Sequence, residues 1–113
     1  MKKIFVFTVL FLIVLISKAQ QSQTPAAQVA HNIADKMKDS LSLTNQQRAQ
    51  IFNINMDLNK QKTTARNSSQ DRAVVTSELQ KIESSRDSLY KAIMTSAQYV
   101  LYRQKKRNLI SSN

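Results

Sequence analysis

Residues 43–47 read LTNQQ and residues 94–98 read MTSAQ, two copies of one pattern that lie 51 residues apart. Each copy places a Thr three residues before a Gln, and an amphipathic run follows. This spacing is typical of a capping box: the Thr hydroxyl accepts a hydrogen bond from the backbone N–H three residues on, and the Gln side chain accepts one from the Thr N–H. Thr44 with Gln47, and Thr95 with Gln98, therefore predict the starts of two helices.

The first 19 residues have the layout of a secretory signal peptide. Two lysines precede an apolar run over residues 4–16, and Ser17-Lys18-Ala19 supplies the small residues of a cleavage site. A membrane anchor is the alternative, but the 13 residues of this run rise only about 20 Å as a helix, against a hydrocarbon core of about 30 Å. The sequence predicts cleavage after Ala19, a mature helical domain over residues 20–113 and a periplasmic location.

The composition of the mature chain points to a basic exported protein. Without the three lysines of the signal peptide it has 14 basic and 7 acidic residues. Export argues against a nucleic-acid partner, and no nucleic-acid-binding motif is present. Anionic surfaces and acidic stretches of other proteins are the partners that such a charge attracts. There is no Cys in the whole chain, so no disulfide supports the fold.

Apolar periodicity predicts four helices. The first spans about residues 26–41 with Thr24 as its cap, the second follows Thr44, the third spans 71–94 and the fourth follows Thr95. Polar residues at 67–70 either break or bend the chain, and the sequence leaves this open.

None of the four predicted helices is apolar all round. The third carries an apolar stripe in which Arg86 stands where an apolar residue is expected; the stripe consists of Val75, Leu79, Ile82, Leu89 and Ile93. The fourth carries Tyr99, Val100, Tyr102, Leu109 and Ile110. Each helix needs a partner surface, so the sequence predicts an all-α fold of four helices packed as hairpins.

Catalytic and metal chemistry find little support in the sequence. His31 is the only His, and with Asp35 one turn away it offers at most two metal ligands, so we interpret it as an exposed helical residue. Glu83 and Asp87 share a helical face, but Asp87 also faces Lys91 and Glu78 faces Lys81, which is typical of solvated ion pairs. The chain has no Gly for an oxyanion loop. We expect no enzyme, no metal and no cofactor.

Basic residues near the centre of the chain are the candidate binding site. They lie close in sequence to two adaptable apolar side chains; the six candidates are Phe52, Met56, Lys60, Lys62, Arg66 and Arg72. A surface that mixes positive charge with flexible apolar groups can hold partially unfolded chains weakly. A solvated face with a few apolar residues at the edge of the core is the alternative.

A second basic group lies near the C-terminus and consists of Arg103, Lys105, Lys106 and Arg107. It fits the dipole at the end of a helix, with an acidic partner as the alternative.

With its two Thr/Gln motifs at residues 43–47 and 94–98, this exported all-helical chain resembles the periplasmic Spy/CpxP family, which carries a repeated LTXXQ motif. Residues 43–47 match the motif fully, and residues 94–98 match it with Met94 in place of Leu. The resemblance extends over roughly residues 37–109. It implies an antiparallel homodimer of four-helix protomers that forms a basic-rimmed cradle, with Thr44, Gln47, Thr95 and Gln98 as structural caps. Some members are ATP-independent chaperones, others restrain an envelope stress sensor, and metal-responsive members use a His cluster, which this chain lacks.

The resemblance and the composition predict a small exported holdase-type chaperone or envelope stress protein that binds unfolded or acidic client proteins. The alternative is a regulatory module that binds the periplasmic domain of a stress-signalling protein. A third class, a basic helical protein on an anionic membrane surface, ranks last because the apolar stripes are sized for helix packing.

Overall fold

The computed structural model describes residues 24–111, which form an all-α fold of four helices. The helices are α1 (Pro25–Leu41), α2 (Asn45–Ser68), α3 (Arg72–Ile93) and α4 (Ser96–Ile110). The predicted fold class is confirmed, and all four predicted helices are present. The predicted signal peptide at residues 1–19 lies outside the described residues.

Local capping determines where the helices begin. The Thr24 hydroxyl accepts a hydrogen bond from the backbone N–H of Ala27 at 3.2 Å, and Pro25 occupies the first turn of α1, where its missing N–H is not needed. The Asp71 carboxylate accepts from the backbone N–H of Ala73 at 2.9 Å and starts α3. The polar cluster at residues 67–70 is therefore a break between two helices, which decides the alternative that the sequence left open.

The connection between α1 and α2 turns sharply at Ser42. This residue has φ 55° and ψ 48°, and its N–H donates to the carbonyl of Lys38. Glycine usually occupies this left-handed position because it has no Cβ. The chain has no glycine, so a serine closes the helix here.

The four helices form a closed ring of contacts. α1 packs on α2 and α4, and α3 packs on α2 and α4. Successive helices are joined by two or three residues, so each pair runs antiparallel as a hairpin. The predicted hairpin packing is thus confirmed for the single chain.

The core lies where all four helices meet. Tyr90 and Tyr102 are fully buried at its centre, with ring centroids 5.1 Å apart in an edge-to-face arrangement. The buried core residues are Ile33, Ala34, Met37, Leu41, Leu43, Ile51, Tyr90, Tyr102 and Leu109.

The predicted apolar stripe of α3 was wrong at Leu89, which is 40% exposed, whereas Tyr90 is fully buried. Arg86 and Tyr90 are the two buried residues of α3, one turn apart on the same face. Each residue turns a helix by about 100°, so only one of two adjacent apolar residues can face the core. Val100 on α4 also points to solvent, being 56% exposed.

The far ends of α2 and α3 extend beyond this core. α2 and α3 are about 36 and 33 Å long, against about 25 and 22 Å for α1 and α4. We call residues 58–82 the hairpin end. Leu58 and Ala65 of α2 are buried there, but none of residues 72–85 of α3 is. The hairpin end is built from α2 and α3, and its α3 side is lightly covered, while the N-terminal part of α1 lies beside Asn59, Lys62 and Arg66 of α2.

Candidate functional site

The two LTXXQ-type motifs form the capping boxes that their spacing predicts. The Thr44 N–H donates to Gln47 Oε1 at 2.9 Å, and the Gln47 N–H donates to Thr44 Oγ1 at 3.1 Å. In the second motif the Thr95 N–H donates to Gln98 Oε1 at 3.0 Å, and the Gln98 N–H donates to Thr95 Oγ1 at 3.2 Å. All four residues act as helix caps, as predicted.

The two motifs also contact each other, which the sequence did not predict. Gln47 Nε2 donates to Gln98 Oε1 at 2.8 Å, and Gln98 Nε2 donates to Gln47 Oε1 at 3.3 Å. Gln47 Nε2 also bonds the carbonyl of Ile93 at 2.9 Å, and Gln98 Nε2 bonds the carbonyl of Ser42 at 3.3 Å. Each glutamine thus ties its own helix start to the residue that directly precedes the other motif.

We call this group of hydrogen bonds between Gln47, Gln98 and the carbonyls of Ser42 and Ile93 the clasp. It joins the α1–α2 loop to the α3–α4 loop at the end of the molecule opposite to residues 69–71. Its amides are engaged with each other and with backbone groups, so the clasp is a structural device and not a binding site. The repeat could have predicted the contact between Gln47 and Gln98, because two equal motifs at equivalent hairpin turns can pair.

The six predicted client-binding residues do not form one continuous patch. Phe52, Met56 and Lys60 follow one another at four-residue steps along one face of α2. Lys62 and Arg66 lie one turn apart on a neighbouring face, where both line a cleft beside α1. Their separation shows that the sequence grouped residues from two faces of α2.

Two of the six candidates are already committed to contacts within the chain. The ring of Phe52 stacks on His31 with centroids 4.1 Å apart and packs against the core. The Lys62 ammonium lies 2.5 Å from the Glu83 carboxylate of α3. Neither side chain is free to hold a partner without giving up one of these contacts.

The other four candidates are accessible. Met56 is half-buried and lines a shallow groove with Lys60 on the outer side of α2. Lys60, Arg66 and Arg72 are exposed, and their side chains form no ion pair or hydrogen bond with any residue between 24 and 111. The hairpin end therefore presents three cations that have no partner among residues 24–111.

Arg86 is the centre of a buried polar network that joins α2 to α3. The residue is 7% exposed, and its guanidinium donates to Glu83 Oε1 at 2.7 Å, to Asn55 Oδ1 at 2.7 Å and to the Tyr90 hydroxyl at 2.9 Å. The Tyr90 hydroxyl in turn donates to Asn55 Oδ1. The position that broke the apolar pattern of α3 thus holds a buried charge that is paired and hydrogen-bonded.

The same network shifts the pKa values of its members. Burial and the loss of water raise the pKa of Tyr90, and the neighbouring Arg86 cation only partly offsets this effect. Burial by itself would raise the pKa of Glu83, but hydrogen bonds from Arg86 and Lys62 outweigh it and hold this pKa below its usual value. Glu83 is therefore ionised at neutral pH and balances two cations.

One polar atom of this network has no partner. Asn55 Nδ2 is buried and forms no hydrogen bond within the described part of the chain. The amide cannot reverse its orientation, because Arg86 and Tyr90 both donate to Oδ1. An unsatisfied buried donor costs about 1–3 kcal/mol, so this atom marks a place where an acceptor is missing.

His31 differs from its interpretation as an exposed residue. It is half-buried, stacks on Phe52 and lies with Nδ1 3.2 Å from Arg48 Nη2. Asp35, its possible co-ligand, is engaged by Arg48 Nε at 2.6 Å, and this hydrogen bond lowers the pKa of the carboxyl. Within residues 24–111 no group of three or more His, Cys, Asp or Glu side chains is arranged to hold a metal ion.

Asp87 also departs from its predicted pairing with Lys91. It accepts hydrogen bonds from the Tyr102 hydroxyl at 2.8 Å, Arg103 Nη1 at 2.8 Å and Lys106 Nζ at 3.0 Å, all on α4. Lys91 instead lies 5.6 Å from the centroid of the Tyr99 ring. The predicted ion pair of Glu78 with Lys81 is present at 3.4 Å.

Two members of the C-terminal basic group, Arg103 and Lys106, thus tie α4 to α3 through Asp87. Burial and the hydrogen bond to Asp87 raise the pKa of Tyr102, so its hydroxyl stays protonated as a donor. This part of the group is committed to the fold. Lys105 and Arg107 form no ion pair within the described residues.

In comparisons with known proteins the chain matches no protein-family model, no curated protein and no solved structure. None of the four helices in residues 24–111 is both long enough and apolar enough to cross a membrane.

Proposed function

We propose that this chain is a small exported chaperone of the holdase type, which binds unfolded polypeptides in the bacterial envelope without ATP. The observation that carries the proposal is the group of three uncommitted cations, Lys60, Arg66 and Arg72, beside accessible apolar side chains. The resemblance of the two LTXXQ-type motifs to the Spy/CpxP family supports it.

The hairpin end offers charge and apolar surface together. Met56 lies one turn from Lys60, and Val74, two residues from Arg72, is 47% exposed. Acidic side chains nearby are partly occupied: Asp57 accepts from Gln61 at 2.9 Å, and Asp71 caps α3. Neither carboxylate forms an ion pair with Lys60, Arg66 or Arg72.

These groups suggest how a client is held. Positive charge speeds the encounter with acidic chains at low salt, and the flexible Met and Lys side chains then adapt to exposed apolar segments. Such binding is expected to be weak and reversible, since the groove beside Met56 and Lys60 is shallow. Release then needs no nucleotide and follows from folding of the client.

An aggregation assay tests the proposal. An acidic client protein is denatured in urea and diluted into buffer with increasing amounts of the purified protein, and light scattering is followed. We expect equimolar protein to delay aggregation, and the delay to shrink between 20 and 300 mM salt, because the screening length falls from about 21 Å to about 6 Å. Absence of any delay at several-fold excess contradicts the proposal.

Two matched triple variants locate the surface. The first variant removes three charges at the hairpin end and combines Lys60→Gln, Arg66→Gln and Arg72→Gln. The second removes three charges elsewhere and combines Lys91→Gln, Lys105→Gln and Arg107→Gln. The first variant is expected to lose most of the delay, and the second to keep it. Equal losses show that net charge, and not this surface, acts on the client.

The regulatory alternative and the homodimer have their own readouts. A pull-down from envelope extract that yields one stoichiometric partner favours a module for a stress-signalling protein, while a broad set of clients favours the chaperone.

We also propose the antiparallel homodimer that the resemblance implies, and sedimentation velocity tests it. A strict monomer leaves the chaperone proposal dependent on one protomer's hairpin end.

A further inference from the structure

A cleft of about 200 Å³ lies between α1, the middle of α2 and the end of α4. One wall is apolar and consists of Ala26, Val29, Ala30, Ile33 and Ile110. The other wall is polar and consists of Asn55, Asn59, Lys62, Arg66 and Arg86. The two walls differ sharply, so a ligand that fits both must itself have an apolar part and a polar part.

The polar wall carries positive charge and no acid. Lys62, Arg66 and Arg86 are its three cations, and one carboxylate, Glu83, is shared between Lys62 and Arg86. Arg66 has no ion-pair partner among residues 24–111. The net charge at this wall therefore favours an anion.

The polar wall is also rich in unused donors. Asn55 Nδ2 is a buried N–H donor without an acceptor among residues 24–111. Arg86 makes four hydrogen bonds to protein acceptors, which leaves one of its five N–H groups, on Nη2, without one. Asn55 and Arg86 both line the cleft. A ligand that brings acceptor oxygens and no donors meets what this wall lacks.

We propose that this cleft binds a monocarboxylate that carries a short apolar tail. The carboxylate lies at the cationic wall near Arg66 and Arg86, and the tail lies against Val29, Ile33 and Ile110. The C-terminal residue of a polypeptide and a free short-chain fatty acid both have this chemistry. The inference rests on the cleft alone and does not require chaperone activity.

Titration by NMR tests the proposal on the ¹⁵N-labelled protein. Hexanoate and N-acetyl-leucine serve as the two carboxylates, and the side-chain resonances of Asn55 and Arg86 are followed. We expect saturable shifts at both residues, with hexanoate binding about tenfold or more tightly than acetate because of its buried tail. Hexanamide and N-acetyl-leucinamide, which keep the tail and lose the charge, are expected to bind more weakly than their acids.

The relative affinities of the two acids identify the source of the ligand. Tighter binding of N-acetyl-leucine points to polypeptide C-termini, and tighter binding of hexanoate points to a fatty acid. Either order supports the proposal.

Two variants and one control assign the shifts to the cleft. Arg66→Gln is expected to weaken binding about two- to fivefold, as expected for one partly solvated charge. Ala26→Phe, which fills the cleft beside Val29, is expected to abolish binding. Lys105→Gln removes an exposed charge from α4 outside the cleft and should leave the affinity unchanged.

Three outcomes overturn the proposal. No saturable shift up to the solubility limit means that the cleft holds water alone. Equal affinity for acetate and hexanoate means an adventitious anion only. Unchanged binding in Ala26→Phe, with the protein still folded by its spectrum, places the ligand elsewhere. None of these results affects the aggregation assay, so the two proposals fail separately.

Discussion

The two ends of this molecule are built in different ways. At the clasp end, two short loops are cross-linked by Gln47 and Gln98, and all four helices contribute to a buried core beneath them. The hairpin end is built from α2 and α3, joined by residues 69–71. α1 lies beside its α2 side, and α3 buries no residue between 72 and 85. Charge follows the same division, since Lys60 and Arg72 at the hairpin end have no ion-pair partner among residues 24–111, whereas Asp87 pairs with two cations of α4.

The comparison teaches that stability and accessible surface are kept apart. Residues that hold the fold use up their hydrogen bonds and burial at one end, and residues that can meet a partner lie at the other. A surface that must adapt to varied chains can tolerate light packing, because local stability differs between parts of a structure. We therefore expect equal substitutions at the two ends to have unequal effects.

The largest difference is expected between two isoleucines. Ile51 is fully buried in the core, whereas Ile82 is half-buried at the hairpin end. Ile51→Ala is expected to lower the free energy of unfolding by about 3–4 kcal/mol, because it leaves a cavity, and Ile82→Ala by about 1 kcal/mol. Urea denaturation followed by circular dichroism measures both.

The Ile→Val changes at the same positions keep this comparison measurable if Ile51→Ala does not fold. Ile51→Val should cost about 1 kcal/mol and Ile82→Val less than about 0.5 kcal/mol. Equal losses at the two positions contradict the division of the molecule into a packed end and a lightly packed end.

The clasp should show an intermediate effect with a specific pattern. Gln47→Ala and Gln98→Ala each remove a capping bond and the ties to the opposite loop, so each is expected to cost about 1–2 kcal/mol. The double variant should cost less than the two combined, by about 0.5–1.5 kcal/mol, because the side chains share hydrogen bonds. Gln61→Ala, which removes an exposed bond to Asp57, should cost about 0.5 kcal/mol or less. Strictly additive costs show that Gln47 and Gln98 do not act together.

The smallest effect is expected for Asp87, whose contribution to the free energy of unfolding decreases in acid. Burial opposes ionisation of Asp87, but hydrogen bonds from Lys106 and Tyr102 lower the pKa of its carboxyl in the folded protein. A carboxyl whose pKa is lower when folded contributes stability above its unfolded pKa of about 3.9, and this contribution is lost as the pH falls through the folded pKa. Asp87→Asn should therefore cost about 1 kcal/mol at pH 7 and progressively less toward pH 3.

Urea denaturation at pH 7, 5 and 3 measures the difference between the wild type and Asp87→Asn. Glu78→Gln is the control at the hairpin end, since Glu78 makes only an exposed ion pair with Lys81 at 3.4 Å. It should change stability by less than about 0.5 kcal/mol at pH 7. A difference for Asp87→Asn that stays constant down to pH 3 contradicts the assigned ion pairs.

Helix starts could be predicted because a cap involves residues only three apart in sequence. Thr44 and Thr95 needed no tertiary information, and both boxes formed. The side of α3 that faces the core was harder, because Leu89 and Tyr90 are adjacent and both apolar. Burial of Tyr90 in place of Leu89 is favoured by Asn55, 35 residues away, because Asn55 Oδ1 accepts a hydrogen bond from the Tyr90 hydroxyl.

The candidate site was predicted in part for a similar reason. Lys60 and Lys62 are alike in sequence, and both were expected to meet a client. Only the packing of α3 against α2 brings Glu83 to Lys62 and leaves Lys60 unpaired. Arg86 was recognised as an exception in an apolar stripe, but its partner Asn55 could not be found from local pattern.

By itself the sequence determined the four helices, their starts and the basic character of the chain, since these depend on capping, periodicity and composition within a few residues. The tertiary structure alone decided which charges are paired, which apolar residues are buried and that the two repeated motifs meet. Those outcomes depend on contacts between residues 13 to 51 positions apart, and the distance between such residues is set only when the helices pack.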